Sequence, residues 1–268
     1  MTMKLLFDLS LCGYAIALLM SVVYLFARRR YIDLTANALL GVSHVMQFAY
    51  IVWRWIAAWR PPFSNMFESL VLFSWAIVLI YFLVRIRFTL LTLRPTSALM
   101  AVLVLAYASS FESDIEPLLP ALRNSWWLTV HVFTCFLGYA GFAVSFASAI
   151  HYLVISRPAR HTSEQTILDV DAVMSKTAAF GFIFLTIGII TGSVWANTAW
   201  GRYWQWDPKE TWSLITWFVY AAFLHCRYMR GWSGPVAAWI SIVGFVFVLI
   251  TFLGVNLLRI FSGLHSYA

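Results

Sequence analysis

Fourteen tryptophans and six histidines are the residues of this 268-residue chain whose chemistry packing alone explains least. Six of the tryptophans, Trp195, Trp200, Trp204, Trp206, Trp212 and Trp217, crowd into one stretch, WANTAWGRYWQWDPKETWSLITW, residues 195–217. An interfacial aromatic belt spreads its rings over many helix ends. Here the rings share one segment that Gly201 and Pro208 bend. The cluster predicts a flat platform for a large planar apolar ligand, held by stacking with its polar edge left wet. Imidazoles beside such a platform would add metal coordination.

The elements that must position these groups follow from composition. Apolar residues make up 62% of the chain and charged residues 11%, less than half the roughly 25% usual in soluble domains. Eighteen Lys and Arg and eleven Asp and Glu cannot cover so large an apolar core, so apolar surface must face lipid. A soluble globule and a disordered chain are both excluded. The net charge of +7 lies in short clusters between apolar runs, a pattern of membrane topology rather than of nucleic-acid binding. Cys12, Cys135 and Cys226 lie far apart with no CxxC or CxxCH, which argues against a disulfide framework, a zinc knuckle or a self-attached haem.

The predicted fold is all-α: a polytopic integral membrane protein, one domain over residues 1–268, with about eight transmembrane helices and an external Trp-rich loop. Apolar runs place the spans at about 9–27, 34–53, 66–84, 96–111, 127–155, 178–195, 212–226 and 235–257. The first run lacks a basic region beyond Lys4 and a small-residue cleavage site, so it reads as a span rather than a removed signal peptide. With eight spans, eleven Lys and Arg fall on one side, including the clusters at Arg28–Arg30 and Arg227, against seven on the other. The first side is expected to be cytoplasmic. Both termini, the 111–126 segment and the Trp-rich loop are then external.

This topology sorts the histidines. His131 lies about one turn into the fifth span from its outer end, and His265 follows the eighth span on the same side. Both share the membrane face of the Trp-rich loop, and two neutral imidazoles flanking an aromatic platform suit a six-coordinate haem iron. His225 ends the seventh span at the cytoplasmic side, and His44 is expected about two turns into the second from that side. His161 reads as solvated, and His151 as structural. Asp207-Pro208-Lys209-Glu210 is a helix-start signature, so Asp207 is a cap, a ligand-site residue, or both. Asn65-Met66-Phe67-Glu68 has the same form.

These residues resemble the CcsA/ResC family of cytochrome c biogenesis proteins, the haem-handling component of cytochrome c synthase with its WWD domain. The resemblance is carried by GSVWANTAWGRYWQWDPKETWSLITW followed by FLHCR, with PFSNMFESLVLFSW at 62–75, PALRNSWWLTVHV at 120–132, GFIFLTIGIITGSVW at 181–195 and GVNLLRIFSGLHSY at 254–267. It covers about residue 60 to the C-terminus. It implies that haem b, a transferred substrate rather than a resident cofactor, is delivered across the membrane for attachment to the CxxCH segment of apocytochrome c. By the same resemblance, His131 and His265 match external haem-iron ligands and His225 matches a ligand of an inner, transmembrane haem. Trp195, Trp200, Trp204, Trp206 and Asp207 belong to the haem-handling segment. A separate ResB/CcsB-type membrane subunit is the implied partner, and a bacterial plasma membrane or a thylakoid membrane the implied location. His44 has no clear family counterpart.

Two other classes fit the sequence less well. A bis-histidine cytochrome b tends to pair histidines 13 or 14 residues apart on one helix, whereas His131 and His151 are 20 apart, about 30 Å along a helix. A secondary transporter is expected to show internal repeats and midplane helix breaks, and neither is visible here.

Overall fold

The computed structural model describes residues 3–115, 126–157 and 162–255. The expectations for His161, for His265 and for the rest of the C-terminal segment lie outside these residues. Each predicted apolar run becomes a helix: α1 Met3–Ala27, α2 Arg30–Ala58, α3 Met66–Arg85, α4 Leu93–Ala108, α5 Trp126–Ile155, α6 Glu164–Trp200, α7 Pro208–Met229 and α8 Pro235–Leu249. A π-helical turn, Ile250–Gly254, continues α8. No strand occurs among the described residues. Five helices, α1, α3, α5, α6 and α8 with its π-turn, are long and apolar enough to cross a membrane. α4 is apolar but has only 16 residues. α2 carries Asp33, Asn37, His44, Gln47 and Arg54 along its length.

The largest correction concerns the sixth helix. It runs 37 residues to Trp200 rather than stopping at 195. Trp195 and Trp200 are therefore helical, and the irregular loop shrinks to residues 201–207. The apolar pattern fades at Ala196-Asn197-Thr198-Ala199, yet nothing there breaks a helix. Only Gly201 does, in the left-handed region at φ 74°, its N–H donating to the Asn197 carbonyl at 2.9 Å. His44 also moves: α2 starts at Arg30, so His44 lies fourteen residues from either end, about 21 Å and at the middle of the helix.

The chain forms two compact units, Met1–Pro117 and Leu118–Ala268. In the first, α1 packs on α2 and α4, and α3 on α4. Glu68, in the first turn of α3, is buried and accepts from Arg54 Nε at 2.7 Å and Arg60 Nη1 at 2.9 Å. Arg54 also donates to the carbonyls of Ser113 and Asp114. The backbone of Glu68 is capped by the Asn65 side chain, as the sequence predicts, while its carboxylate reaches back to Ser64 N. Arg94 similarly joins Asp33 at 2.5 Å and Ser21 at 2.9 Å, tying the start of α4 to α1 and α2.

In the second unit, α5 and α6 approach until backbones touch. A Cβ on Gly141 would lie 2.9 Å from Gly181 N and from the Thr177 carbonyl, and one on Gly138 would lie 2.9 Å from Leu185 N. Small residues one turn apart allow this contact, as at helix crossings in lipid. At the other end of this unit, Arg227 of α7 pairs with Asp171 of α6, and Asp171 also accepts from Gly234 N at 3.2 Å ahead of α8.

Candidate functional site

The α6–α7 connection and the first turns of α5 lie at one end of the second unit, because α5 and α6 are antiparallel neighbours. There α5, α6, α7 and the π-turn enclose a cavity of about 90 Å³ lined by His131, Cys135, Gly192, Trp204, Lys209 and Phe252, among others. Phe252 of the π-turn meets Phe136 edge to face at 5.2 Å, closing one wall.

His131 is half-buried, and its Nδ1 lies 2.7 Å from the Gly188 carbonyl of α6. A carbonyl only accepts, so Nδ1 carries the proton and the lone pair of the neutral ring is on Nε2. The Cys135 sulfur, one turn along α5, is 3.6 Å from the same nitrogen. The imidazole lies parallel to the indole of Trp195, with planes 9° apart.

The tryptophans depart from the expected flat platform. Trp195 meets Trp200 at 77°, and Trp204 meets Trp206 at 88°, so each pair is edge to face and the rings form walls at right angles. Trp195 is buried, while Trp206 is 68% exposed. Trp206 has φ 57°, a left-handed conformation that costs a non-glycine residue about 1–2 kcal/mol. The loop thus holds one indole outward at a conformational cost. The indole N–H groups of Trp200 and Trp204 are buried without a hydrogen-bond partner among the described residues.

Asp207 starts α7 as the sequence predicts. Its carboxylate accepts from Lys209 N at 2.8 Å, and Glu210 accepts in return from Asp207 N and from Gln205 N, completing a capping box. The geometry gives Asp207 a structural task and also places Lys209 and Glu210 on the cavity wall. Lys209 precedes the apolar stretch of α7, and burial lowers its pKa to about 8. Trp212 packs on Phe247, and Trp217 donates to Thr186 Oγ1 at 2.8 Å, so these two of the six belong to helix packing.

His225 lies exposed near the C-terminal end of α7, at the opposite end of the unit from His131. In the first unit, His44 stacks on Trp75 at 5.1 Å with planes 8° apart. Sequence reasoning missed Cys135, Gly188, Gly192 and Phe252 as parts of the site. The Gly188–Gly192 spacing was a legible signal of close helix approach; the π-turn that aims Phe252 had none.

Fold and site together define a class: an all-α polytopic membrane protein with an aromatic-walled, histidine-bearing cavity at one end of a helix group. Residues 63–264 match the family described as Cytochrome C assembly protein. The cytochrome c biogenesis protein CcsA of Chlamydomonas reinhardtii is 39% identical over 239 residues, covering 85% of this chain and 67% of that protein. CcsA of Synechococcus sp. (strain CC9902) is 37% identical over 261 residues, covering 85% of each. This chain belongs to the cytochrome c assembly protein family, and its work is cytochrome c biogenesis. A solved structure, the cytochrome c haem lyase CcmF, shares the fold with a TM-score of 0.73 at 20% identity over 93% of this chain; the chain spans a little under half of that protein, 46%.

Proposed function

We propose that this chain receives haem b and holds it at the α5–α6–α7 cavity for attachment to apocytochrome c. The observation that carries the reading is the meeting of His131, protonated at Nδ1 with its lone pair on Nε2 and its ring parallel to Trp195, with Trp204 and Lys209 around one cavity. The residues fit the cargo. The tryptophans offer apolar faces, the buried N–H groups of Trp200 and Trp204 are donors in need of an acceptor, and Lys209 is a cation for a propionate. At about 90 Å³ the cavity is well below the roughly 300 Å³ at which sites begin to bury whole ligands. The macrocycle therefore lies across its mouth, with an open edge for an incoming peptide.

In this reading His131 and His265 are the external axial ligands, and His225 serves an inner haem with a ResB/CcsB-type partner. Trp195, Trp200, Trp204 and Trp206 orient the ring, and Asp207 sets the loop that carries two of them. The two thiols of the acceptor CxxCH add across the haem vinyl groups, each forming one C–S bond while its proton goes to the neighbouring vinyl carbon. The acceptor histidine replaces one axial imidazole. The Trp-rich loop, both termini and residues 111–126 face outward, in a bacterial plasma membrane or a thylakoid.

Haem added to the purified chain tests this. His131→Ala or His265→Ala is expected to convert a six-coordinate spectrum to five-coordinate, with partial rescue by imidazole. An unaltered spectrum and normal cytochrome c maturation in the double variant would sink the assignment. Reporter fusions after Arg202 and Arg230 should give opposite signals, and equal signals would overturn the orientation.

A further inference from the structure

We infer that Gly188 and Gly192 of α6 are positioning residues for His131: the Gly188 carbonyl sets the tautomer of the imidazole, and the bare backbone at Gly192 sets its plane. The inference rests on the reading of His131 as a haem ligand and extends it to residues that never touch the haem.

Three observations converge. The Gly188 carbonyl lies 2.7 Å from Nδ1 and so accepts its proton. The carbonyl is held in place by the α6 backbone, and Thr191 Oγ1, which donates to the Ile187 carbonyl at 2.7 Å, lies 3.2 Å from it. One turn further along α6, a Cβ placed on Gly192 would fall 2.5 Å from Nδ1 and 2.6 Å from Cε1 of the ring, far inside contact distance. The imidazole occupies the volume that any side chain at 192 would fill. Beyond it, Trp195 lies parallel to the ring, with centroids 6.3 Å apart. A ring donating through Nδ1 to a fixed carbonyl presents Nε2 as the ligating nitrogen, and an outer hydrogen bond of this kind commonly orients a metal-bound histidine. Gly188 has a second use, since a Cβ there would fall 2.5 Å from the Cys135 sulfur. The two glycines thus leave space for two side chains of α5, and only Gly192 faces the imidazole in this way.

The test uses the full chain with added haem, reduced by dithionite. Gly192→Ala is expected to lose the six-coordinate spectrum while retaining haem on the tryptophans, and imidazole should restore six-coordination. In a His131→Gly background, where added imidazole supplies the ligand, Gly192→Ala should have no further effect. A native spectrum in Gly192→Ala overturns the inference. So does an equal loss in both backgrounds, which would show a general fault in α5–α6 packing. An unchanged spectrum in His131→Gly alone overturns instead the ligand reading beneath it. Should Gly192→Ala fail to fold, the haem-free wild-type chain labelled with 15N-histidine decides. The signal lost in His131→Gln is expected to report Nδ1 protonated, and a ring protonated at Nε2 overturns the inference.

Discussion

His131 and Trp195 stand 64 positions apart in the chain, yet their rings lie parallel, with centroids 6.3 Å apart and planes within 9°. The pairing exists because α5 and α6 approach closely enough at Gly138, Gly141 and Gly181 to bring their side chains into register at the cavity end. Trp195→Leu keeps an apolar side chain but removes the flat neighbour. It is expected to broaden the haem spectrum through mixed His131 orientations without loss of helicity, measured by circular dichroism. A single sharp native spectrum in Trp195→Leu would show that the parallel pairing does not orient the imidazole.

The helix contact itself should be sensitive to one methyl group. Gly141→Ala places a Cβ 2.9 Å from backbone atoms of α6, which cannot rotate away. A loss of about 1–3 kcal/mol is expected, read as a lower melting temperature in detergent. Equal stability would mean that the helices separate at little cost.

Asp207 and the tryptophans should separate cleanly. Asn caps about as well as Asp, so Asp207→Asn is expected to be mild, whereas Asp207→Ala loses about 0.5–2 kcal/mol of local stability. Trp204→Ala with Trp206→Ala is expected to abolish haem capture. Wild-type haem occupancy in that pair would reduce the loop to an interfacial belt.

Glu68 bridges two buried arginines at once, with partners at 2.7 and 2.9 Å. Glu68→Gln removes the carboxylate charge that both arginines share, and breaking such a pair costs about 3–5 kcal/mol. The first unit is expected to become protease-sensitive at the 59–65 connection. Wild-type resistance would show that water reaches the arginines.

Lys209 offers a pH test. Its pKa is lowered to about 8 against an ordinary 10.5, so between these values the unfolded chain binds more protons than the folded one. Haem-free stability is expected to rise with pH across that window, and Lys209→Met should flatten the rise. Retention of an anionic ligand should run the opposite way, weakening as pH passes 8 and Lys209 loses its charge. A rise that persists in Lys209→Met would assign the titration to another group.

Much of the protein is written along the chain. Apolar runs located each of the eight helices among the described residues. For the five long and apolar enough to cross a membrane, the reason is that a span in lipid must satisfy its own backbone hydrogen bonds, which leaves a long, continuous pattern. Asn65 and Asp207 were legible as caps, since capping is a contact between residues three apart. His131 could be placed at the end of the bundle that carries the tryptophans by counting spans. Helix ends were less legible: α6 continues past its apolar run to Trp200 and stops at Gly201, which takes the left-handed turn without the cost of a Cβ.

Tertiary structure alone decided the rest. The perpendicular set of the indoles, the tautomer of His131 and the exclusion of any side chain at Gly192 depend on where α6 lies against α5, to within tenths of an ångström. The pairing of Glu68 with Arg54 and Arg60, and of Asp171 with Arg227, joins residues that no local pattern connects. Periodicity records which face of a helix is apolar. Which partner that face meets, and at what distance, is settled by packing of side chains far apart in sequence, and the orientation of the cavity's imidazole follows from that packing.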